Sequence, residues 1–283
     1  MRVRGDDNMR YIKQCLYVIS VVLLMILVVF ISTAILQLGI GLITECFNIA
    51  LSEDVLYTLS GSGGIAAASL IGVLYVKKKK IALDVKANSR GNTSVLVYTL
   101  LSVCLCKILV DGIMGSILSV LYPMEPMQAD VTSWVYYLSA IVVAPIFEEL
   151  LFRYGLYNII RQKMSHTFSM LLSAILFATI HGYQLQGFIS CFVAAMVFTW
   201  IYRKTKDIRC SMLAHMSCNA FAIIMNVIQE AGIKLGGVPL QYGKNGYNML
   251  HPVLIIFAII VCGMILVKYL KREKEIIEEN GYS

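Results

Sequence analysis

The sequence predicts an all-α, polytopic membrane protein with about eight transmembrane helices. Of its 283 residues, 58% are hydrophobic and only 14% are charged, whereas soluble domains carry about 25% charged residues. The mean hydropathy is +0.75, and the apolar residues fall into runs close to the length of about 20 residues that a helix needs to cross a bilayer. We therefore expect most of the chain to lie in a membrane.

The apolar runs divide the chain into eight candidate spans, of which the fifth and sixth are short. Their positions are 14–42, 55–76, 94–121, 132–160, 167–182, 187–202, 210–228 and 252–270. We expect three parts: residues 1–130 with spans 1–3, residues 131–228 with spans 4–7, and residues 229–283 with an outer loop, the last span and a tail. The apolar run from Leu16 is too long for a signal peptide and predicts a retained first span.

The basic residues predict the orientation of these spans. Of the 24 Lys and Arg residues, 21 fall in the tails and in alternate connections on one side. The positive-inside bias places that side in the cytoplasm, so we expect a multi-pass protein of the plasma membrane with both termini cytoplasmic. The net charge of +7 is thus explained by topology and by contact with membrane lipids, and we expect no nucleic-acid partner.

Two features of the first spans have a structural and a functional interpretation. Span 2 contains Ser60-Gly61-Ser62-Gly63-Gly64, small residues that allow close helix packing in lipid. In span 3, Lys107 and Asp111 are four residues apart, so they can pair on one helix face. The functional alternatives are a role of this pair in substrate entry or in transport.

Two adjacent carboxylates and a guanidinium lie in span 4, where ionisable groups are costly and usually functional. Glu149 and Arg153 are four residues apart with the acid first, which favours an ion pair. Glu148 points about 100° away and is left free to act as a general base. Pro145 removes a backbone donor and bends the helix, which would open space for water beside Glu148. The alternative is a charge pair that closes the inner end of the span.

One histidine lies in each of two later spans, His181 at the end of span 5 and His215 in span 7. The polar turn 161–165 lies midway between Glu148 and His181, so two antiparallel helices joined there would bring both side chains to one level. His215 and Asn219 are four residues apart and share a helix face. A lone histidine in an apolar segment is usually a core residue, but the matched depth favours a common site.

A glutamate, two histidines and an asparagine at one depth predict peptide hydrolysis. Glu148 and His181 would orient and deprotonate a water molecule, while His215 and Asn219 would donate hydrogen bonds to the developing oxyanion. The alternative is a zinc ion held by Glu148, His181 and His215. The chain has no HExxH motif, the strongest sequence signature of a zinc protease helix. We therefore favour a metal-free mechanism and leave the cofactor open.

Three motifs carry a family resemblance, and they occur in order on successive predicted helices: EExxxR (Glu148, Glu149, Arg153), FxxxH (Phe177, His181) and HxxxN (His215, Asn219). Together they resemble the CPBP intramembrane proteases, a family of CAAX prenyl proteases and bacteriocin-processing enzymes that is also called Abi. The resemblance covers the core of spans 4–7. It implies a CAAX-protease-like helical core, with a conical cavity open to the cytosol and to lipid.

The same resemblance implies endopeptidase activity with the catalytic roles given above, supported by Glu149, Arg153 and Phe177, of which Phe177 shapes the pocket. Family members have been described both as metalloproteases and as glutamate-dependent proteases. The implied substrate is a peptide or protein that is lipidated or membrane-associated. The competing hypothesis is a non-catalytic bacteriocin self-immunity protein with the same fold.

Overall fold

The computed structural model describes residues 3–81, 83, 134–181, 185–230, 234–235 and 238–239, with single helical residues at 260 and 264. Predicted span 3, with Lys107 and Asp111, lies outside the described residues. Most of predicted span 8 lies outside them as well.

The described chain is almost entirely helical, which confirms the predicted fold class. Its six helices are α1 (Val3–Cys46), α2 (Glu53–Lys78), α3 (Trp134–Arg161), α4 (His166–Ile180), α5 (Leu185–Thr205) and α6 (Ile208–Glu230). Two short strands, β1 (Lys234–Leu235) and β2 (Val238–Pro239), pair antiparallel after α6.

The helices differ in their capacity to cross a membrane. By length and composition, three of those described are long and apolar enough, namely Met9–Cys46 within α1, α2 and α3. Helix α4 and the segment Ile208–Ile224 of α6 are apolar but shorter. The described helices thus support a membrane protein, and the count of eight spans stays a prediction.

Helices α1 and α2 form an antiparallel pair held by small side chains. Ser32 Oγ donates to the backbone oxygen of Gly64 over 3.1 Å, and Thr33 packs directly on the same glycine. Nearer the start of α1, the side chain of Tyr17 lies close to that of Tyr75. These contacts show that Gly64 of span 2 serves helix packing, because a larger residue there would collide with α1.

The outer face of α1 is apolar and uncovered within the described structure. Leu23, Phe30 and Leu38 are 61%, 74% and 68% exposed. In water such a surface would be unfavourable at about 25 cal/mol per Å², whereas lipid tails solvate it. The exposure therefore agrees with a helix whose outer face contacts acyl chains.

Helix α3 is continuous in the chain but contains two π-helical segments. Residues Ser139–Val143 and Leu150–Tyr157 are π-helical, and Ala144–Glu149 between them is α-helical. Short π-helical segments are rare and occur frequently at functional sites. The sequence predicted a bend at Pro145 but not these two register changes, which flank the glutamates.

A buried core joins α3 to its neighbours. Phe152 and Phe177 meet edge-to-face with their ring centroids 5.3 Å apart, and Ser173 Oγ donates to the backbone oxygen of Phe152 over 3.1 Å. Helix α2 crosses α3 where Gly72 faces Gly155. The apolar core cluster comprises Val18, Ala68, Leu151, Phe152, Leu156, Ile160, Ala174, Phe177 and Ala195.

Two polar residues begin the helices that bring the histidines to α3. Ser165 Oγ accepts a hydrogen bond from the backbone N–H of Phe168 at the start of α4. Asp207 Oδ1 accepts from the backbone N–H of Arg209 at the start of α6 over 2.9 Å. Hydrogen bonds from Arg209 hold the pKa of the Asp207 carboxyl below its usual range. Both residues are favoured at helix N-caps for this reason.

Candidate active site

The predicted ion pair between Glu149 and Arg153 is present and lies at the centre of the bundle. Arg153 Nη1 is 2.8 Å from Glu149 Oε1, and both side chains are fully buried. The second terminal nitrogen, Nη2, donates to the backbone oxygen of Ala195 in α5 over 3.1 Å. The guanidinium also lies over the Phe177 ring, with Cζ 4.7 Å from its centroid. A buried cation is thus matched by a carboxylate, a carbonyl and an aromatic face.

Glu149 also connects α3 to α6. Its Oε1 is 3.0 Å from Nδ1 of His215, and its Oε2 accepts a hydrogen bond from the hydroxyl of Ser211. Ser211 and His215 are four residues apart on α6, so they face the same partner. One carboxylate therefore fixes the positions of Arg153, Ser211 and His215 together.

Glu148 has a different environment although it is adjacent in sequence. It is buried, and among the described residues its Oε2 has no hydrogen-bond partner. Two imidazole nitrogens face this oxygen, Nε2 of His215 at 3.7 Å and Nε2 of His181 at 3.9 Å. Both distances exceed a direct hydrogen bond. The carboxylate predicted to be free thus meets the two predicted histidines without bonding to either.

The hydrogen bonds of the two imidazoles assign their ring protons. Nδ1 of His181 is 2.7 Å from the backbone oxygen of Phe177, and a carbonyl can only accept. Nδ1 of His215 faces the Glu149 carboxylate, which likewise accepts. Each Nδ1 therefore carries a proton, and in the neutral ring each Nε2 offers a lone pair. The two Nε2 lone pairs and the Glu148 Oε2 face one region. All three atoms accept hydrogen bonds, so this region favours a molecule that donates them, such as water.

Aromatic rings shape the walls around the imidazoles. Phe198 of α5 stacks on His215 with centroids 4.6 Å apart, and Phe177 contacts His215 edge-on at 5.5 Å. The Phe177 and His181 centroids are 4.5 Å apart. Phe177 therefore touches both histidines and Arg153, and the pocket-shaping role that the resemblance implied for it stays a prediction.

Asn219 binds the backbone of α3 at the proline. In the π-helical segment the N–H of Ala144 donates to the oxygen of Ser139, so the oxygen of Ala140 would next receive the nitrogen of Pro145, which has no hydrogen. Asn219 Nδ2 donates to that Ala140 oxygen instead, over 2.8 Å. One amide hydrogen of Asn219 is thus used for structure, and the other is available to a ligand.

The three side chains that could bind zinc face one another but are not arranged as a metal site. The sequence left zinc held by Glu148, His181 and His215 as an alternative, and their facing atoms do share one region. Among the described residues, however, no group of three or more His, Cys, Asp and Glu side chains is arranged to hold a metal ion. The side chains as placed do not form a coordination shell, so we assign no catalytic step to a metal.

The structure brings the predicted side chains of Glu148, His181 and His215 together and places Asn219 one turn further along α6. Sequence reasoning missed Ser211 and Phe198. The position of Ser211, four residues before His215, was a usable signal for a shared face. Nothing in the sequence pattern distinguished Phe198 from other apolar residues of α5.

A family model describes this region. Residues 130–221 match the model "Type II CAAX prenyl endopeptidase Rce1-like". The match covers about a third of the chain, and it shows what this segment is similar to. The match includes every motif residue discussed here, and it confirms the resemblance that the three motifs predicted.

Two curated proteins are similar to part of the chain. The chain is 29% identical over 86 residues to "Putative membrane peptidase YdiL" of Bacillus subtilis (strain 168), over 30% of this chain and 35% of the relative. It is 28% identical over 96 residues to "UPF0177 protein YbdI" of Lactococcus lactis subsp. lactis (strain IL1403), over 34% of this chain and 51% of the relative. The aligned parts thus span between a third and a half of these curated relatives. No solved structure matches the chain.

Proposed function

We propose that the protein is an intramembrane endopeptidase that hydrolyses a peptide bond with a water molecule activated by Glu148. The observation that carries this proposal is the contrast between the two glutamates. Glu149 is occupied by Arg153, His215 and Ser211, whereas the Oε2 of Glu148 has no hydrogen-bond partner among the described residues. A general base needs such a free carboxylate beside the reacting water.

The Glu148 carboxylate would take one proton from the water as its oxygen bonds to the substrate carbonyl carbon, and it would return that proton to the amine nitrogen when the C–N bond breaks. Nε2 of His181 would accept a hydrogen bond from the other O–H of the water. This orients the oxygen lone pair toward the substrate carbonyl. The Nδ1–H of His181 is anchored on the Phe177 backbone oxygen, so the ring is held in the tautomer that this task requires. Positioning of this kind lowers the barrier because the reactants are aligned before the reaction starts.

His215 and Asn219 would stabilise the oxyanion. For this role His215 would take up a second proton at Nε2, so that Nδ1–H stays on Glu149 and Nε2–H donates to the developing negative charge. With Arg153 already present, this protonation state also balances two carboxylates with two cations in a buried cluster. The second amide hydrogen of Asn219 is the other candidate donor. Loss of one oxyanion donor costs about 10²–10³ in rate in enzymes of this chemistry.

The substrate is expected to be a peptide or protein in or at the membrane, because the site lies between helices with apolar outer faces. The basic connections support a cytoplasmic opening by the positive-inside bias. A lipidated substrate of the CAAX type follows from the family description alone. The alternative in the same family is an immunity protein that keeps the fold without the chemistry.

A cleavage assay on the purified full-length protein tests the endopeptidase proposal. We expect cleavage of members of a peptide library in lipid vesicles by the wild type, and loss of cleavage in Glu148→Ala and His215→Ala. Product formation by both variants at the wild-type rate would contradict the proposal. Protection against a bacteriocin that both variants retain, without any cleavage by the wild type, would support the immunity alternative.

The same assay with a chelator addresses the metal. We expect activity to survive after zinc has been removed and the metal content measured, because the described donors form no coordination shell. Loss of activity on chelation and its return on adding zinc would show that the three side chains rearrange around a metal ion.

A further inference from the structure

We propose that the protein binds the phosphate headgroup of an anionic membrane phospholipid in a cationic cavity far from the glutamates. The cavity has a volume of about 600 Å³ and lies between the start of α1 and the turn that follows α3. Three cations line it, Arg10 and Lys13 from α1 and Lys163 from the turn. Gln14 and Gln162 add side-chain amides, and none of the described side chains lining the cavity is acidic.

Packing beneath the cavity fixes the backbone of α1 and of the turn that line it. Val18 of α1 is buried in one cluster with Ile160 at the end of α3, and Met164 packs against that cluster. In the turn, the backbone N–H groups of Lys163 and Met164 both donate to the oxygen of Ile160, over 2.9 and 3.0 Å. The backbone of Lys163 is thus held opposite α1 by an ordered turn, while its side chain and those of Arg10 and Lys13 are exposed and can reach a ligand from the surface.

The charges in the cavity favour a phosphate. Like charges gathered in one concavity raise the local potential and attract an anion. Arginine offers a planar fork for phosphate oxygens, lysine a point charge, and amide N–H groups add directional donors. All three kinds of donor are present here. A ligand with a single anionic phosphate matches them better than a neutral headgroup would.

The surface beside the cavity selects a lipid over free phosphate. An apolar stripe on α1 begins three residues after Lys13, and Leu16, Ile19 and Leu23 along it are 60%, 53% and 61% exposed. Residues spaced in this way lie on one side of a helix. A phospholipid can place its headgroup in the cavity and its acyl chains along this stripe, whereas inorganic phosphate gains nothing from it.

Native mass spectrometry of the full-length protein, with phosphatidylglycerol or phosphatidylcholine added, tests the proposal. We expect the wild type to retain phosphatidylglycerol preferentially. In Lys13→Gln/Lys163→Gln, retention should fall about 30-fold, because each cation near an anionic lipid contributes the equivalent of several-fold in affinity. The matched control is Lys77→Gln/Lys79→Gln, which removes two exposed lysines of the basic run that do not line the cavity. Thermal unfolding checks that both variants are folded.

Three outcomes would overturn the proposal. Equal losses in the cavity variant and the control variant would mean that surface charge in general attracts the lipid. Equal retention of the two lipids by the wild type would mean that there is no anionic site. Displacement of phosphatidylglycerol by millimolar inorganic phosphate would mean that the cavity binds the free anion.

Discussion

At the scale of single residues, Glu148 and Glu149 differ in environment because successive helix positions point about 100° apart. The sequence predicted this difference correctly, since the i,i+4 spacing to Arg153 selects Glu149 alone for the ion pair. What the sequence did not reveal is that Glu149 also holds His215 and Ser211. These partners come from a helix that is more than 60 residues away in the chain, and no local pattern encodes that contact.

The Glu149→Gln change should destabilise the fold. It would leave the fully buried Arg153 guanidinium without its counter-charge, and removing one partner of a buried pair costs about 3–5 kcal/mol. We expect a marked fall in the thermal unfolding temperature of the detergent-solubilised protein. A matched double variant, Glu149→Gln with Arg153→Met, should recover part of the loss. Unchanged stability of the single variant would contradict the proposed anchoring role of Glu149.

At the scale of elements, α3 shows what sequence reasoning can and cannot supply. The apolar run predicted a long helix at nearly the correct bounds, and the bend expected at Pro145 stays a prediction. The two π-helical segments were not predicted. A change of the backbone hydrogen bonds from i→i−4 to i→i−5 leaves the pattern of apolar residues in the sequence almost the same. Only the three-dimensional contacts reveal that Asn219 replaces the missing donor of Pro145.

The packing of α1 on α2 gives a prediction with an internal control. A Cβ at Gly64 would collide with Thr33 Oγ1 and lie 3.0 Å from the Thr33 backbone nitrogen, whereas a Cβ at Gly61 would meet nothing within 4 Å. We expect Gly64→Ala to lower the thermal unfolding temperature of the solubilised protein and Gly61→Ala to leave it unchanged or raise it slightly. Equal effects of the two substitutions would contradict the close contact between the helices.

At the scale of the whole molecule, the sequence predicted the helical class and the segment that carries the site. The family match covers residues 130–221, which include every side chain of the candidate site. The antiparallel contact of Tyr17 with Tyr75 and the cavity shared by Lys13 and Lys163 place three basic connections at one end. This is the arrangement that the positive-inside bias requires, and which membrane face that end occupies stays a prediction.

The number of spans and the division into three parts also stay predictions, since two candidate spans fall mostly outside the described residues. The sequence was more informative about the site than about its surroundings. Motif residues at helical spacing determine which side chains share a face, but the depth at which different helices meet depends on packing. The 3.7 and 3.9 Å separations between the Glu148 carboxylate and the two imidazoles required the folded chain.

The central claim is that the free carboxylate of Glu148 activates the water. The most direct test compares the cleavage rate of one peptide substrate by wild-type protein and Glu148→Gln, with thermal unfolding measured in parallel. We predict a rate loss of about 10²–10⁴-fold with no loss of stability, since among the described residues the replaced oxygen Oε2 makes no hydrogen bond. A folded Glu148→Gln variant that cleaves the peptide within a few-fold of the wild-type rate would contradict the account.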